Sequence, residues 1–333
     1  MIRTLRLPLL ALLLGLAAAC SPPPVHQQQA YVFGTLVEVS VTGVPEPQAR
    51  AATDDVLAHF DALHRRLHAW QPSELSALNA ALARGERVQV SPELMAMLKE
   101  AQALAAQSGE RFNPAIGGLV ALWGFHTDAP QAQLPAAAAI ADWVARRPRM
   151  ADIVFEGDTV ASRNPAVQLD LGGYAKGRAL DDAAAIFKAH GIDRALINIG
   201  GNVLALGDRG DRPWRVGIRH PRTSGTLATL DLHDGEALGT SGDYQRYFEV
   251  DGRRYCHLID PTSGRPADAL QSVTILVHGA RAGTRSDALS KPLFIAGPEA
   301  LAGQAARLGI DGYLAVDAAG TRHVSPALEA RLR

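Results

Sequence analysis

The sequence predicts an α+β fold, a single large unit in which helices fall among strands without a steady βαβ rhythm. Helical periodicity marks the first half of the chain. Strand signals dominate later, and two of the strand runs are split by turn dipeptides, as hairpins are.

The elements follow in order. Arg3 and Arg6 precede an apolar run from Leu7 to Ala19, so residues 1–19 read as a signal peptide, too short for a stable membrane span. Leu16-Ala17-Ala18-Ala19-Cys20 resembles a bacterial lipobox, with Ala17 where a larger apolar residue is usual, and Cys20 is the expected lipidation site. Residues 20–30, proline-rich and polar from Ser21 to Gln29, read as a tether, and residues 31–333 as the folded domain. Tyr31 to Val41 alternates as a strand interrupted at Gly34-Thr35. Val56, Phe60, Leu63 and Leu67 recur at helical spacing. Ser91-Pro92 opens a second helix that should end near Gly109, and Pro135 to Arg147 is expected to form a third on the surface. Ile153 to Ser162, split at Gly157-Asp158, and Phe248 to Leu258, split at Asp251-Gly252, read as hairpins. Ala195 to Leu206, Trp214 to Ile218 and Val273 to Val277 add further strands.

Composition narrows the function. With 33 basic and 34 acidic residues and no basic block, nucleic acid is not an expected partner. There are two cysteines, no Cys-x-x-Cys and no His-Glu-x-x-His, which excludes thiolate zinc sites and zincin chemistry.

The stretch Asp170-Leu171-Gly172-Gly173-Tyr174-Ala175-Lys176-Gly177 carries the most information. A strand-like run (Val167, Leu169, Leu171) ends at a carboxylate and two glycines. A helix follows with Leu180, Ala183, Ala184, Ile186 and Phe187 on one side and Gly191 as its stop. Glycines let a ligand approach the backbone, and a helix N-terminus favours phosphate. The same pattern also suits an ordinary strand-to-helix turn, so two readings stand. His257, where a loop leaves a strand, suits a base, a ligand-holding donor or a structural histidine. Ser241, Asp243 and Asp260 read as turn and cap residues.

Taken in order, eight clusters resemble the ApbE family of FAD:protein FMN transferases. They are Phe33-Gly34-Thr35, Ser73 to Asn79, Phe112-Asn113-Pro114 leading to Leu122-Trp123-Gly124-Phe125, Asp170 to Gly177, Asn198 to Gly201, Thr240 to Tyr244, His257 to Gly264, and Ser286 to Ser290. The resemblance implies a T-fold-related α+β enzyme at the periplasmic face of the inner membrane. It would cut FAD and move FMN onto a threonine or serine hydroxyl of a membrane redox subunit, in an Asp-x-x-[Ser/Thr]-Gly-Ala-[Ser/Thr]-like motif, with release of AMP. It implies Mg²⁺ held by the Gly173 carbonyl and Asp287. It also implies flavin-nucleotide contacts at Phe33, Trp70, Phe112, Asn113, Pro114, Asp170, Lys176, His257 and Ile259.

Three positions depart from the family pattern. Phe33 replaces a common Met, Asn113 a frequent Asp, and Lys291 the threonine ligand expected four residues after Asp287. An ammonium cannot ligate Mg²⁺. Lys291 therefore turns outward, stands in for the metal against the pyrophosphate, or marks a protein that binds FAD without transferring it. His257 is the expected general base, since a metal-bound Asp287 would be a poor one. Lys291 and Asp287 complete the catalytic set. The alternatives are an FAD pyrophosphatase and a non-catalytic periplasmic flavin-binding lipoprotein.

Overall fold

A computed structural model describes residues 24–333 apart from residue 128. The signal segment and Cys20 lie outside the described residues. Strands β1 (Val25–Val32) and β2 (Thr35–Thr42) pair antiparallel from Val25↔Thr42 to Val32↔Thr35. Residues 25–30, expected in the tether, therefore form an edge strand. The Phe33-Gly34 turn between them has φ of 55° and 69°. Two left-handed residues match the twist of a tight hairpin, and glycine adopts that region freely while phenylalanine does not. Phe33 is held there by its ring, 6.1 Å from Phe60 and 5.5 Å from His64.

Helix α1 (Glu46–Arg66) buries Val56, Phe60 and Leu63, as their spacing predicts. Helix α2 (Glu74–Ala83) starts at a capping box in which Ser73 and Ser76 bond each other's backbone N–H. After the short β3 (Val88–Gln89), Ser91 caps α3 (Pro92–Gln107). Helix α4 (Gly117–Leu122) precedes α5 (Ala137–Arg146), which buries only Ile140 and is the expected surface helix. Strands β4 (Ile153–Glu156) and β5 (Thr159–Ser162) form the first expected hairpin.

The run Val167 to Leu171 is not a strand; it is extended, with a single bridge from Ile116 to Gln168. Side chains and loops satisfy its backbone instead. Asn79 brackets Leu169, accepting from its N–H at 2.7 Å and donating to its carbonyl at 2.8 Å. The Gly117 N–H donates to the Gln168 carbonyl at 2.7 Å. Helix α6 (Ala175–Ala189) follows and buries Leu180, Ala183 and Phe187; Ala184 and Ile186 are half-buried.

The second half is largely strand. In order come β6 (Ala195–Ile199), β7 (Asn202–Leu206), β8 (Trp214–Arg219), β9 (Thr226–Leu232) and β10 (Glu236–Gly242). They are followed by β11 (Tyr247–Val250), β12 (Arg253–Cys256), β13 (Ile259–Asp260), β14 (Arg265–Pro266) and β15 (Leu270–His278). Helices α7 (Ala282–Ala296) and α8 (Leu301–Leu308), β16 (Gly312–Asp317), β17 (Arg322–Val324) and α9 (Pro326–Glu329) close the chain.

Among the described residues, eight strands make one sheet in the order β1-β2-β6-β7-β10-β15-β16-β17. Its neighbours all run antiparallel. One face packs on α1, α6 and α7, with α3 against α7, through residues such as Val39, Ile197, Val273, Phe187 and Phe294. The other face packs on the β8–β9 hairpin and α9 through Leu230, Leu238, Leu314 and Leu328. A third, smaller core joins α4, α5 and the β11–β12 hairpin around Trp123, Phe125 and Phe248. Between these layers lies the cavity. Among the described residues, no helix is long and apolar enough to cross a membrane.

Candidate active site

Helices α6 and α7 meet backbone to backbone. A Cβ on Gly177 would lie 2.3 Å from the Gly283 carbonyl oxygen, and one on Gly283 would lie 2.7 Å from the Gly177 carbonyl oxygen. Real Cβ atoms do not approach that closely, so glycine at both positions sets the helix spacing. Each helix then caps the other. Asp287 of α7 accepts the Gly177 N–H at 2.9 Å, and Asp181 of α6 accepts the Gly283 and Thr284 N–H groups at 2.9 Å each. A carboxylate at a helix N-terminus satisfies orphan donors and favours the macrodipole. Burial pushes the Asp181 carboxyl upward, against the pull of those donors and of Arg281. Strand β10 presses on α7 in the same manner, since a Cβ on Gly239 would lie 2.0 Å from the Ser286 carbonyl oxygen.

Asp287 is fully buried. Burial alone would raise its carboxyl, but Lys291 and Lys176 together hold it below the usual carboxylate range. The Lys291 ammonium donates to the other Asp287 oxygen and, at 2.8 Å, to the Asp287 carbonyl. Its stem runs along Gly173, with Cε 3.2 Å from where a Cβ would stand. This donor set does not fit a magnesium ion. Both carboxylate oxygens already take an N–H donor, and one of these donors is a cation that would repel the metal.

The turn and both lysines form one end of a cavity of about 1270 Å³. That exceeds the roughly 300–1,000 Å³ of a pocket for one drug-sized ligand. Phe33, Trp70, Phe112, Asn113, Pro114, Asp170, Gly173, Lys176, His257, Ile259 and Lys291 all line it. Every expected contact residue is thus brought to one space except Asp287, which stands behind Lys291. Asn113 is on the wall, but its amide is engaged with the Pro148 carbonyl at 2.9 Å and the Ala115 N–H at 3.1 Å. It shapes the turn around Pro114. Asp170 accepts the Gly172 N–H at 2.8 Å and so closes the turn. Burial raises its carboxyl, opposed by that N–H and by Arg246, His68 and Trp70.

His257 Nδ1 lies 3.2 Å from the Arg246 carbonyl. A carbonyl can only accept, so Nδ1 carries the proton and Nε2 is left as an acceptor. Burial, with the charge of Arg246, lowers the imidazole to about 3, so it is neutral at physiological pH. Arg246 is itself held by the Phe125 and Thr127 carbonyls, both at 2.8 Å.

The sequence reading did not single out Arg246, His64 or His68, although all three line the cavity. His64 and His68 are one helical turn apart, with ring centroids 5.5 Å from each other, and continue the aromatic shelf begun by Phe33. Their i, i+4 spacing just before Trp70 was the available signal. Arg246 had none, since a loop delivers it. Cys256 is buried beside the site, its thiol pushed up to about 12 by burial, which makes it an inert core residue.

A glycine turn, two lysines and a shelf of rings thus line one large cavity. Residues 33–314 match the ApbE family, and the chain belongs to it. It is 45% identical over 318 residues to an FAD:protein FMN transferase of Rhodobacter capsulatus, covering 96% of this chain and 60% of that relative's length. To the FAD:protein FMN transferase of Treponema pallidum it is 36% identical over 293 residues, 82% of this chain and 79% of that one. Among solved structures, the ApbE protein of Thermotoga maritima superposes with a TM-score of 0.84 at 30% identity, covering 93% of this chain and all of that one. The flavinyl transferase ApbE of Pseudomonas stutzeri, in its apo form, gives 0.81 at 29% identity, with 94% and 98% covered.

Proposed function

We propose that this protein is an FAD:protein FMN transferase, moving the FMN half of FAD onto a serine or threonine hydroxyl of a partner protein with release of AMP. The observation that carries the reading is the pairing, in one cavity, of the Gly172–Lys176 turn and Lys291 with the Phe33, His64, His68 and Trp70 shelf. An anhydride with two negative charges needs fixed positive charge and alignment more than covalent help. The shelf supplies flat surfaces for the ring systems.

In this reading the hydroxyl oxygen bonds to the FMN phosphorus while the anhydride P–O bond breaks, and AMP leaves with the electron pair. The hydroxyl proton passes to Nε2 of His257 and on to solvent. A weakly basic imidazole suffices, because in a loose transition state the proton becomes acidic only as the new P–O bond forms. Asp287 acts behind the site, capping α6 and orienting Lys291. The Mg²⁺ that the family resemblance implies has no place at Asp287 in this reading.

The finer setting is part of the proposal. Residues 1–19 direct export and Cys20 carries the lipid, which leaves the domain at the periplasmic face of the inner membrane beside acceptor subunits of redox complexes. The basic and apolar start of the chain supports this. The test is intact mass of an acceptor peptide after incubation with the full chain and FAD. A gain of one FMN is expected. Free FMN and AMP with an unmodified peptide would mark a hydrolase, and bound, uncut FAD would mark a carrier.

A further inference from the structure

Resting on the transferase reading above, we propose that the Lys291 ammonium is the built-in cation for the anhydride phosphates of FAD, so that this chain binds and cleaves FAD without a divalent metal at Asp287. The argument begins with donors. An ammonium has three N–H groups, and Lys291 gives two of them to Asp287, one to its carbonyl and one to its carboxylate. The third is left for the cavity that Lys291 lines. The side chain is 14% exposed against 0% for Asp287, so the lysine and not the carboxylate meets the ligand.

Position follows from the glycines. Gly173 leaves room for the lysine stem, and Gly177 and Gly283 bring α7 close enough for the ammonium to stand at the turn opening α6. Charge completes the case. Asp170 and Asp287 against Lys176 and Arg246 would sum to zero, with a buried carboxylate behind a dianionic ligand. Lys291 makes the sum +1 and covers the carboxylate. It is rooted on a helix and held at two points, so little reorganisation is needed when charge develops on the departing AMP phosphate. In the transfer itself the hydroxyl O–P bond forms, the anhydride P–O bond breaks, and the electron pair goes to AMP. Lys291 donates a hydrogen bond to that oxygen and keeps its own proton.

The experiment compares FAD affinity, read by flavin fluorescence, and FMN transfer, read by peptide mass, in EDTA and in Mg²⁺. It uses the full chain and its Lys291→Met and Lys291→Arg variants, with thermal melts confirming the fold. The wild type should bind and transfer equally well in EDTA. Lys291→Met should lose about tenfold in FAD affinity and about a hundredfold in transfer rate, with Lys291→Arg between the two. Should Lys291→Met fail to fold, the EDTA comparison and the arginine variant still decide. Loss of wild-type binding in EDTA with recovery in Mg²⁺ would overturn the proposal, as would a folded Lys291→Met that binds FAD like the wild type. Lys291-dependent, metal-independent cleavage of FAD to free FMN and AMP, with no mass gain on the peptide, would instead defeat the transferase reading and leave this one standing, whereas bound FAD that is never cut would overturn both.

Discussion

At the α6–α7 end of the cavity, Asp287 is fully buried, the helices touch through glycines, and each caps the other through an aspartate. Another part of the lining comes from the edge strand β1 and from β8. There Tyr31 is 76% exposed, Arg215 is paired with Asp231 at 2.9 Å, and the Arg219 guanidinium lies 5.3 Å from the Tyr244 ring. The first end is over-determined, because moving one side chain disturbs two helices. The second is a set of exposed side chains, each replaceable at little cost to the fold. A rigid end suits a small, invariant charged group; an open, edge-strand end suits a larger partner that arrives and leaves.

The largest expected effect is at the rigid end. Asp287→Ala uncaps α6 and leaves Lys291 without its counter-charge. It should destabilise the protein by about 3–5 kcal/mol, read as a lower denaturation midpoint, and remove transfer. A melt like that of the wild type would break the comparison.

Next comes His257→Asn. Transfer should fall by about 10²–10⁴-fold with FAD affinity nearly unchanged. The same residue gives a pH signature. Its folded value near 3 lies below the ordinary 6.5, so between these values the unfolded chain binds more protons. Stability should therefore fall as pH drops below 6.5, by at most about 1.4 kcal/mol per pH unit from this group, and level off near pH 3. His257→Asn should show a shallower acid loss in denaturant titrations at pH 7 and pH 4. Parallel curves for the two proteins would remove burial of the imidazole as a cause.

Gly239→Ala probes the packing of β10 against the backbone of Ser286 and Asp287. Its new Cβ meets the Ser286 carbonyl, and overpacking of this kind costs about 1–3 kcal/mol, measurable as a midpoint shift. The smallest effects belong to the open end. Tyr31→Ser or Arg219→Ala should leave the melt within about 0.5 kcal/mol of the wild type. Each should raise the KM for a protein acceptor a few-fold while kcat holds. A large fall in kcat would mean that the open end takes part in the chemistry.

Much of the rigid end was legible in the sequence. Gly172-Gly173 and Gly177 after the Asp170 carboxylate mark a turn into a helix, and it was their place among the other clusters in order that made the turn readable as a site. The helices read from Val56 to Leu67 and from Ser91 to Gly109 are present because their apolar spacing matches a buried stripe. The strand expected up to Leu171 failed because Asn79, far away in sequence, supplies the bonds a neighbouring strand would have supplied. The tether was drawn too long because Gln27 to Gln29 look like linker, yet an edge strand tolerates polar residues on its open side. The mutual capping of α6 and α7 was invisible for the same reason as Arg246. Both depend on which segments meet, and a single sequence does not record that.

The most direct test of the account is a crystal structure of the full chain with FAD. The account predicts the diphosphate at the Gly172–Lys176 turn, within hydrogen-bond reach of Lys291 Nζ, and the rings along Phe33, His64 and Trp70. A diphosphate bound among Arg215 and Arg219, with Lys291 still closed on Asp287 and touching nothing else, would contradict it.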